Sequence, residues 1–394
     1  MPWEMKTVEE QRKAFVLEVT AGKESKSALC QKYNISRVTG DKWLARHERG
    51  EMLSDQSRAP FHTPNKTPHG KVEKILEVRA AHPAWGARKI KKFLENKNIY
   101  DSPAVSTIAD ILKREGCVSE KASQAATPYK RFQKETCNEM WQTDFKGHFA
   151  MKDGNRCHPL TVLDDYSRFS LCVDAKENEQ RLGVIQSFER LFDQNGLPDS
   201  LLCDNGNPWG NSQTTGYTKF EVWLMEYDVL PIHGRIMHPQ TQGKEERFHR
   251  TMDVELLNLI EIENMVHAQD CFDSFRNCYN NERPHEALNM GVPTEFYHAS
   301  RRKKPDVISE WEYSSEYVLR KVKPTGYLTF GSQGYFLSQA FAEKTVAVRE
   351  SSLENCMNVY FRGFRIARIN VKERAFISRK IYKSDPTVPI AESE

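Results

Sequence analysis

Apolar and polar side chains alternate along residues 140–151, MWQTDFKGHFAM, in the central part of the chain. Such alternation is typical of a β-strand with one buried face. Residues 158–164 and 169–175 have the same character, residues 179–194 show a helical spacing of apolar side chains, and residues 200–203 are a short apolar segment. Strands followed by helix, strand and helix predict a mixed sheet flanked by helices.

Three carboxylates occupy prominent points in this predicted layout. Asp144 lies within the first strand, Asp204 follows the strand at 200–203, and Glu246 lies in the first turns of a long helix for which Thr241 is the expected N-cap. Carboxylates brought together repel one another unless a divalent cation neutralises them, and an all-oxygen ligand set selects Mg²⁺ or Mn²⁺. Residues 135–300 contain 27 Asp and Glu residues, however, and composition cannot select three of them.

Charge is distributed unevenly along the chain, although the formal net charge of the 394 residues is only +3. Residues 1–134 carry 26 Lys and Arg against 16 Asp and Glu (net +10), residues 135–300 carry 14 against 27 (net −13), and residues 301–394 carry 17 against 11 (net +6). Basic segments suit phosphate backbones, whereas an acidic segment between them would repel DNA unless cations neutralise it. This pattern favours a nucleic-acid protein with a cation-binding middle.

Composition excludes several other classes. No apolar run approaches the ~20 residues that a membrane helix needs, and the first residues do not have the pattern of a signal peptide. The nine cysteines are dispersed and include no Cys-x-x-Cys pair. This distribution predicts reduced intracellular thiols rather than a disulfide framework or a zinc site.

Within the basic segment 1–134, residues 1–50 have the pattern of a helix-turn-helix. A helix at 8–21, a short helix at 26–33 and a third helix capped by Ser36 are separated by short turns. In this arrangement the last helix enters the major groove of DNA, where it would present Arg37, Thr39 and Lys42.

Residues 51–70 are polar and proline-containing and predict a linker, and residues 71–125 predict a second helix-turn-helix. Its middle helix carries Arg88, Lys89 and Lys92, which we expect along the phosphate backbone. After a charged hinge at 301–305, short alternating runs within 315–383 predict a small β-barrel domain.

Three motifs resemble the catalytic blocks of the DDE transposases and retroviral integrases: residues 141–144 (WQTD), 204–206 (DNG) and 238–247 (HPQTQGKEER). Residues 82–90 (HPAWGARKI) and 281–288 (NERPHEAL) are similar to further segments of bacterial insertion-sequence transposases. The resemblance extends over roughly residues 1–370 and implies a ribonuclease-H-like catalytic core at 135–300.

The resemblance also implies the chemistry and the partners. Asp144, Asp204 and Glu246 would be the catalytic residues and would bind two Mg²⁺ ions, with Mn²⁺ as a substitute. The reaction would be nicking at element ends followed by attack of the freed 3′-OH on target DNA. The flanking cations Lys244, Arg247 and Arg250 would bind phosphate. The partners would be double-stranded DNA, as terminal inverted repeats and as target, and further copies of the chain in a homodimer or higher oligomer. A bacterial cytoplasmic, nucleoid-associated protein without a membrane partner is expected.

Two alternatives remain open at this point. Glu245 stands where related proteins usually have an apolar residue, so that Glu245 rather than Glu246 is an alternative third ligand. A catalytically silent DNA-binding regulator derived from a transposase is the alternative function. In addition, the 41 residues between Asp204 and Glu246 make a long spacing, and we expect the extra residues to form a loop at 209–218.

Overall fold

The computed structural model of the chain describes residues 7–55, 66–118, 133–206, 208–210, 216–234 and 243–383. The chain divides into two compact units, residues 1–66 and residues 67–394. The predicted second helix-turn-helix, α/β core and β tail therefore lie together in the larger unit. The finer boundaries of these regions stay predictions.

The smaller unit contains three helices, α1 (Val8–Thr20), α2 (Lys26–Lys32) and α3 (Arg37–Glu48), as the sequence predicts. The side chains of Thr7, Ser25 and Ser36 cap their N-termini by accepting backbone N–H hydrogen bonds. The apolar core, which includes Phe15, Leu29 and Trp43 among other residues, is buried between the helices. The unit is thus a compact helical bundle with a tight turn between α2 and α3.

The larger unit begins with a second group of three helices: α4 (His69–Ala81), α5 (Ala87–Asn96) and α6 (Val105–Arg114). Ile75, Trp85, Ile90, Ile108 and other apolar side chains form its core. The structure thus contains a second helical group in the region where the sequence predicts one, with α4 beginning two residues before the predicted start at residue 71.

The α/β core contains a mixed sheet whose strands in the described residues are β1 (Trp141–Phe145), β2 (Phe149–Ala150), β3 (Arg156–Asp164), β4 (Ser170–Lys176), β5 (Ser200–Cys203) and β6 (Leu230–His233). The strand β3 pairs antiparallel with β1, β2 and β4, whereas β1, β5 and β6 pair in parallel. This arrangement confirms the predicted ribonuclease-H-like mixed sheet. The strand β6 was not predicted.

Helices cover both faces of this sheet. They are α7 (Arg181–Asn195), α8 (Lys219–Glu226), α9 (Gly243–Met252) and α10 (Met265–Asn281), and a π-helical turn at Asp253–Leu257 follows α9. Phe188, Phe220 and their neighbours pack α7 and α8 against the sheet, and Phe248 and Phe272 belong to a second apolar cluster. The predicted cap of α9, Thr241, lies outside the described residues.

The tail is all-β, as predicted. Its strands are β7 (Val318–Lys321), β8 (Tyr327–Phe330), β9 (Gln333–Phe336), β10 (Thr345–Glu350), β11 (Cys356–Phe361), β12 (Phe364–Asn370), β13 (Ala375–Ser378) and β14 (Tyr382–Lys383). The strands β13, β12, β11, β10 and β7 form a sheet in this order, β14 pairs with β12, and β8 and β9 form a hairpin. The two strands at the end of the tail, β13 and β14, were not predicted.

The segment expected to form a loop at 209–218 is held at both of its ends. Trp209 and Tyr217 are buried, and the Ser338 hydroxyl donates a hydrogen bond to the Tyr217 carbonyl at 2.6 Å. The Tyr217 hydroxyl contacts the carbonyl oxygens of Ile366 and Arg379. These contacts attach the core to the β tail; residues 211–215 lie outside the described part of the chain.

None of the helices within the described residues is long and apolar enough to cross a membrane.

Candidate active site

The first two predicted catalytic residues lie at the ends of neighbouring strands. The strands β1 and β5 run parallel, with Trp141 opposite Leu201 and Gln142 opposite Leu202. Continuing this register for two residues places Asp144 and Asp204 at the same level, at the carboxyl ends of both strands. The two aspartates therefore lie on adjacent parallel strands, near the same end of the sheet.

Asp144 is half-buried, and one of its carboxylate oxygens, Oδ1, accepts a hydrogen bond from the Phe145 N–H at 2.8 Å. Burial, together with the negative charge of Asp204, raises the pKa of Asp144 to about 7. The charges of Glu179 and Glu246 raise it further. The raised pKa means that ionising Asp144 beside the negative charge of Asp204 is unfavourable. A bound cation would offset this repulsion, so the pair has the electrostatic property expected of a cation site.

Asp204 begins a tight turn that holds its own side chain. The Gly206 N–H donates to Asp204 Oδ1 at 2.8 Å, and the Asn205 side-chain amide donates to the Gly234 carbonyl at 2.9 Å. These bonds indicate that Asn205 and Gly206 shape the turn. At Gly210, a Cβ atom would lie 3.0 Å from His233 and 3.2 Å from the Asn205 Cα atom, so that a side chain would crowd the turn.

The side chain of His233 forms a hydrogen bond with the main chain of Asp204. Its Nδ1 lies 2.8 Å from the Asp204 carbonyl oxygen, and its Nε2 lies 3.0 Å from Glu221 Oε1. Although burial lowers the pKa of His233, hydrogen bonds with Cys203 and Glu221 raise it to about 11. The protonated imidazole therefore donates from both nitrogens. This contact was missed because no sequence motif relates the two segments.

The two candidate third ligands occupy very different environments on α9. Glu246 is exposed, whereas Glu245 is buried with 1% of its surface accessible. The Thr161 hydroxyl lies 3.0 Å from Glu245 Oε2, and Glu245 Oε1 has no hydrogen-bond partner among the described residues. Burial and the charge of Asp144 raise the pKa of Glu245 well above its usual range. These contacts favour a packing role for Glu245, and the choice between the two glutamates as third ligand stays a prediction.

His249 is packed rather than directed to solvent. Its Nε2 lies 2.9 Å from the Thr161 hydroxyl, and burial, with a contribution from Lys146, lowers the pKa of His249 to about 4. Thr161 stands opposite Asp144 in the β1–β3 pairing. The neutral imidazole therefore contacts the cross-strand neighbour of Asp144.

Two of the predicted phosphate-binding lysines make internal ion pairs. The ammonium group of Lys244 contacts the fully buried carboxylate of Asp165, and the ammonium group of Lys89 lies 3.7 Å from Glu255. Burial, with the charge of Arg283, lowers the pKa of Lys89 to about 8. Neither side chain projects freely from the surface, so these contacts favour structural roles for both lysines. Their contact with DNA stays a prediction.

The other predicted DNA-binding side chains lie at or near the surface. Arg88, Arg247 and Arg250 are exposed, and Lys92 is half-buried. In the smaller unit Arg37 donates to the Ser27 hydroxyl at 2.7 Å, the ammonium group of Lys42 lies 4.8 Å from the centre of the Trp43 ring, and Thr39 contacts Ser36 at 2.8 Å. Arg37 and Lys42 remain exposed in these positions.

Family comparisons agree with this architecture. Residues 135–239 and 227–293 each match an integrase core domain family, and residues 39–112 match a homeodomain-like domain family. These matches, with the relatives below, confirm the relationship to insertion-element transposases of the DDE and integrase superfamily. They support a transposase-type function on DNA and a polynucleotidyl-transferase class of enzyme.

Individual relatives come from insertion elements. An uncharacterized 31.7 kDa protein of insertion element IS407 from Burkholderia multivorans is 26% identical over 282 residues, which cover 68% of this chain and 93% of the relative. An uncharacterized 39.2 kDa protein of insertion element IS476 from Xanthomonas euvesicatoria is 24% identical, with 63% and 71% covered.

Solved structures with partial similarity are those of viral integrases. The HTLV-2 integrase catalytic core domain in complex with magnesium is 16% identical with a TM-score of 0.32, covering 41% of this chain and 98% of that one. The simian T-cell lymphotropic virus intasome in complex with a PP2A regulatory subunit is 12% identical with a TM-score of 0.37, covering 73% and 96%.

Proposed function

We propose that the chain is an insertion-sequence transposase that binds the ends of its element and catalyses both strand cleavage and strand transfer into target DNA. The observation that carries this proposal is the placement of Asp144 and Asp204 at the ends of adjacent parallel strands, where burial and mutual repulsion raise the pKa of Asp144 to about 7. Glu246, exposed on α9, is the proposed third carboxylate.

The donor set fits hard divalent cations. Asp144, Asp204 and Glu246 offer only carboxylate oxygens, which are the ligands preferred by Mg²⁺ and Mn²⁺. Two such ions, when bound, activate a water or a 3′-hydroxyl as nucleophile and stabilise the leaving oxygen of an in-line phosphoryl transfer. Because hydrolysis and joining are both in-line displacements, one arrangement of ligands serves both steps.

Side chains of the core position the catalytic carboxylates. The Phe145 N–H orients the Asp144 carboxylate, and His233 fixes the Asp204 main chain from the opposite side of the turn. Buried Glu245, as a neutral acid, anchors the first turns of α9 on Thr161 and leaves the neighbouring Glu246 on the open side. Such support by the surrounding structure keeps a site close to its productive geometry.

Basic side chains in both units suit the binding of DNA. Arg247 and Arg250 flank Glu246 on α9 and would hold the phosphates next to the scissile bond. Arg37, Thr39 and Lys42 on α3, and Arg88 and Lys92 on α5, would bind the terminal inverted repeat. Joining two ends to one target requires at least two active sites, so we propose a homodimer or a larger assembly on paired ends.

The test uses the full-length protein with labelled duplex DNA from the flanks of its gene, where imperfect inverted repeats would mark the element ends. With Mg²⁺ or Mn²⁺ we expect nicked and then joined products, and we expect Asp144→Asn, Asp204→Asn and Glu246→Gln to abolish both while DNA binding persists. Asp193→Asn is a matched control, since Asp193 is an exposed acid of the same core paired with Lys304. Specific binding without any nick would instead support the silent regulator.

A further inference from the structure

Three side chains of metal-binding type meet where the second helical group contacts the α/β core. They are His82, Cys278 and Glu282, and one potential ligand atom of each lies within 4.8 Å of the others. All three residues are half-buried. His82 is almost 200 positions from Cys278 and Glu282 in the sequence, so no local motif predicts the cluster. The catalytic carboxylates described above do not take part in it.

A backbone hydrogen bond and a ring stack position the residues of the cluster. Cys278 lies in the last turn of α10, and the Glu282 N–H donates to the Cys278 carbonyl at 3.0 Å, so that both side chains leave one face of the helix end. His82 directly follows α4, and its ring stacks on Trp85 at 3.7 Å with an interplanar angle of 7°. The stacking fixes the plane of the imidazole.

The electrostatic environment of the cluster disfavours a thiolate at Cys278 when no cation is bound. Burial, with the charges of Glu282 and Glu255, raises the pKa of the Cys278 thiol to about 11, whereas burial lowers the pKa of His82. The imidazole is consequently neutral and can donate a lone pair. The same negative charges that oppose a thiolate would be offset by a divalent ion.

An adjoining cavity gives the cluster access to solvent. It has a volume of about 390 Å³, and its walls include His82 and Cys278 together with His267 and Cys271 of α10. An ion and its remaining water ligands can therefore reach His82 and Cys278 without unfolding of either element.

We propose that His82, Cys278 and Glu282 form a binding site for one Zn²⁺-class ion that fastens the second helical group to the core. A mixed nitrogen, sulfur and oxygen set favours Zn²⁺ or Co²⁺, in contrast to the oxygen-only catalytic set. Binding replaces the thiol proton, so that one S–H bond is lost, one S–metal bond is formed and one proton is released to solvent.

Closing the site requires only small movements. Metal–ligand bonds of 2.0–2.3 Å in a tetrahedral site imply ligand separations of about 3.6 Å. No separation between the three potential ligand atoms exceeds 4.8 Å, so each must shorten by about 1 Å at most. His82 lies in the connection between α4 and α5, which can supply this shift. Lys97, 3.7 Å from Glu282, would share the carboxylate with the ion or release it.

The experiment titrates Co²⁺, and then competing Zn²⁺, into full-length protein freed of metal by chelation and kept reduced. We expect one equivalent of Co²⁺ to produce a thiolate-to-cobalt charge-transfer band, release about one proton and raise the thermal midpoint by several degrees. Excess Zn²⁺ should remove the band, and excess Mg²⁺ should not.

Variants decide which residues are responsible. Cys278→Ser should lose the band, and His82→Gln and Glu282→Gln should each weaken Co²⁺ binding at least tenfold. Cys271→Ser is the matched control, because Cys271 lines the same cavity on the same helix but is outside the cluster. Asp144→Asn should also retain the band. Absence of the band in the wild type, or its persistence in Cys278→Ser, would overturn the proposal; if Cys278→Ser fails to fold, unchanged binding by His82→Gln would do so.

Discussion

The indole N–H of Trp85 donates a hydrogen bond to the Glu255 carboxylate at 3.2 Å, although the two residues are 170 positions apart. The same carboxylate accepts from Arg283 Nε at 3.0 Å and lies 3.7 Å from the Lys89 ammonium group. Glu255 belongs to the π-helical turn that follows α9. Such turns add a residue to a helical repeat and thereby redirect side chains, often at functional positions. One carboxylate thus joins the turn after α9 to the second helical group.

We expect Glu255→Gln to destabilise the larger unit by about 2 kcal/mol, because it leaves two nearby half-buried cations, Lys89 and Arg283, without their counterion. Chemical denaturation of both proteins would measure this loss as a decrease in the free energy of unfolding. Glu77→Gln, an exposed change on α4, should alter the same free energy by less than about 0.5 kcal/mol. Equal stability of the Glu255 variant and the wild type would show that the contact does not hold the two regions together.

Substitution of the two neighbouring glutamates should separate catalysis from packing. Glu246→Gln should reduce strand cleavage roughly 10²–10³-fold without lowering the thermal midpoint, since the side chain is exposed. Glu245→Gln preserves the shape of a buried acid that is already neutral, so cleavage should remain within about tenfold of wild type. Rates of nicking on labelled end DNA, with thermal melts of each variant, distinguish these outcomes. The reverse ranking of the two rates would assign the third ligand to Glu245.

The architecture was largely predictable from periodicity. Apolar periodicity predicted β3 and β4 to within two residues, whereas the single strand predicted at 140–151 is divided into β1 and β2. The strand β6 is only four residues long and contains Pro231, so its local signal is weak. The helix α10 does carry helical spacing in Phe272, Phe275 and Tyr279, and it could have been found from that spacing.

The site was predictable only in part. Adjacency of Asp144 and Asp204 followed from the strand order, but the inward direction of the Lys89 ammonium group depends on Glu255, which a π-helical turn places there. In the same way, the proximity of His82 to Cys278 depends on how α4 packs against α10. Contacts of this kind arise from tertiary packing and leave no periodic trace in the sequence.

The basic side chains should differ in their effect on DNA binding. Arg250→Ala, at an exposed position on α9, should weaken binding and reduce the slope of log K against log salt concentration by about 1, as expected for loss of one phosphate contact. Lys89→Ala should leave this slope unchanged and lower stability instead, because its ammonium group faces Glu255. Fluorescence anisotropy at several salt concentrations measures the slopes. A reduced slope for the Lys89 variant would show that this side chain does reach the phosphate backbone.

His285 should make the larger unit sensitive to acid. Burial and the charge of Arg283 lower the pKa of His285 to about 3, and its Nε2 lies 3.2 Å from the Tyr279 carbonyl oxygen. An unfolded histidine titrates near pH 6.5, so below that pH the unfolded chain binds a proton that the folded chain refuses. The contribution of His285 to stability is therefore complete above pH 6.5 and decreases as the pH falls toward 3.

Between pH 7.5 and pH 5.0 this linkage amounts to a loss of about 2 kcal/mol from the free energy of unfolding. Urea denaturation at both pH values measures the decrease in the free energy of unfolding between them. We expect this decrease to be about 2 kcal/mol smaller in His285→Gln than in the wild type, whatever the variant's stability at neutral pH. His69→Gln serves as the control, because the His69 side chain is 86% exposed and its replacement should leave the pH dependence as in the wild type. If the wild type and His285→Gln lost the same free energy between the two pH values, the acid sensitivity would have to originate in other groups.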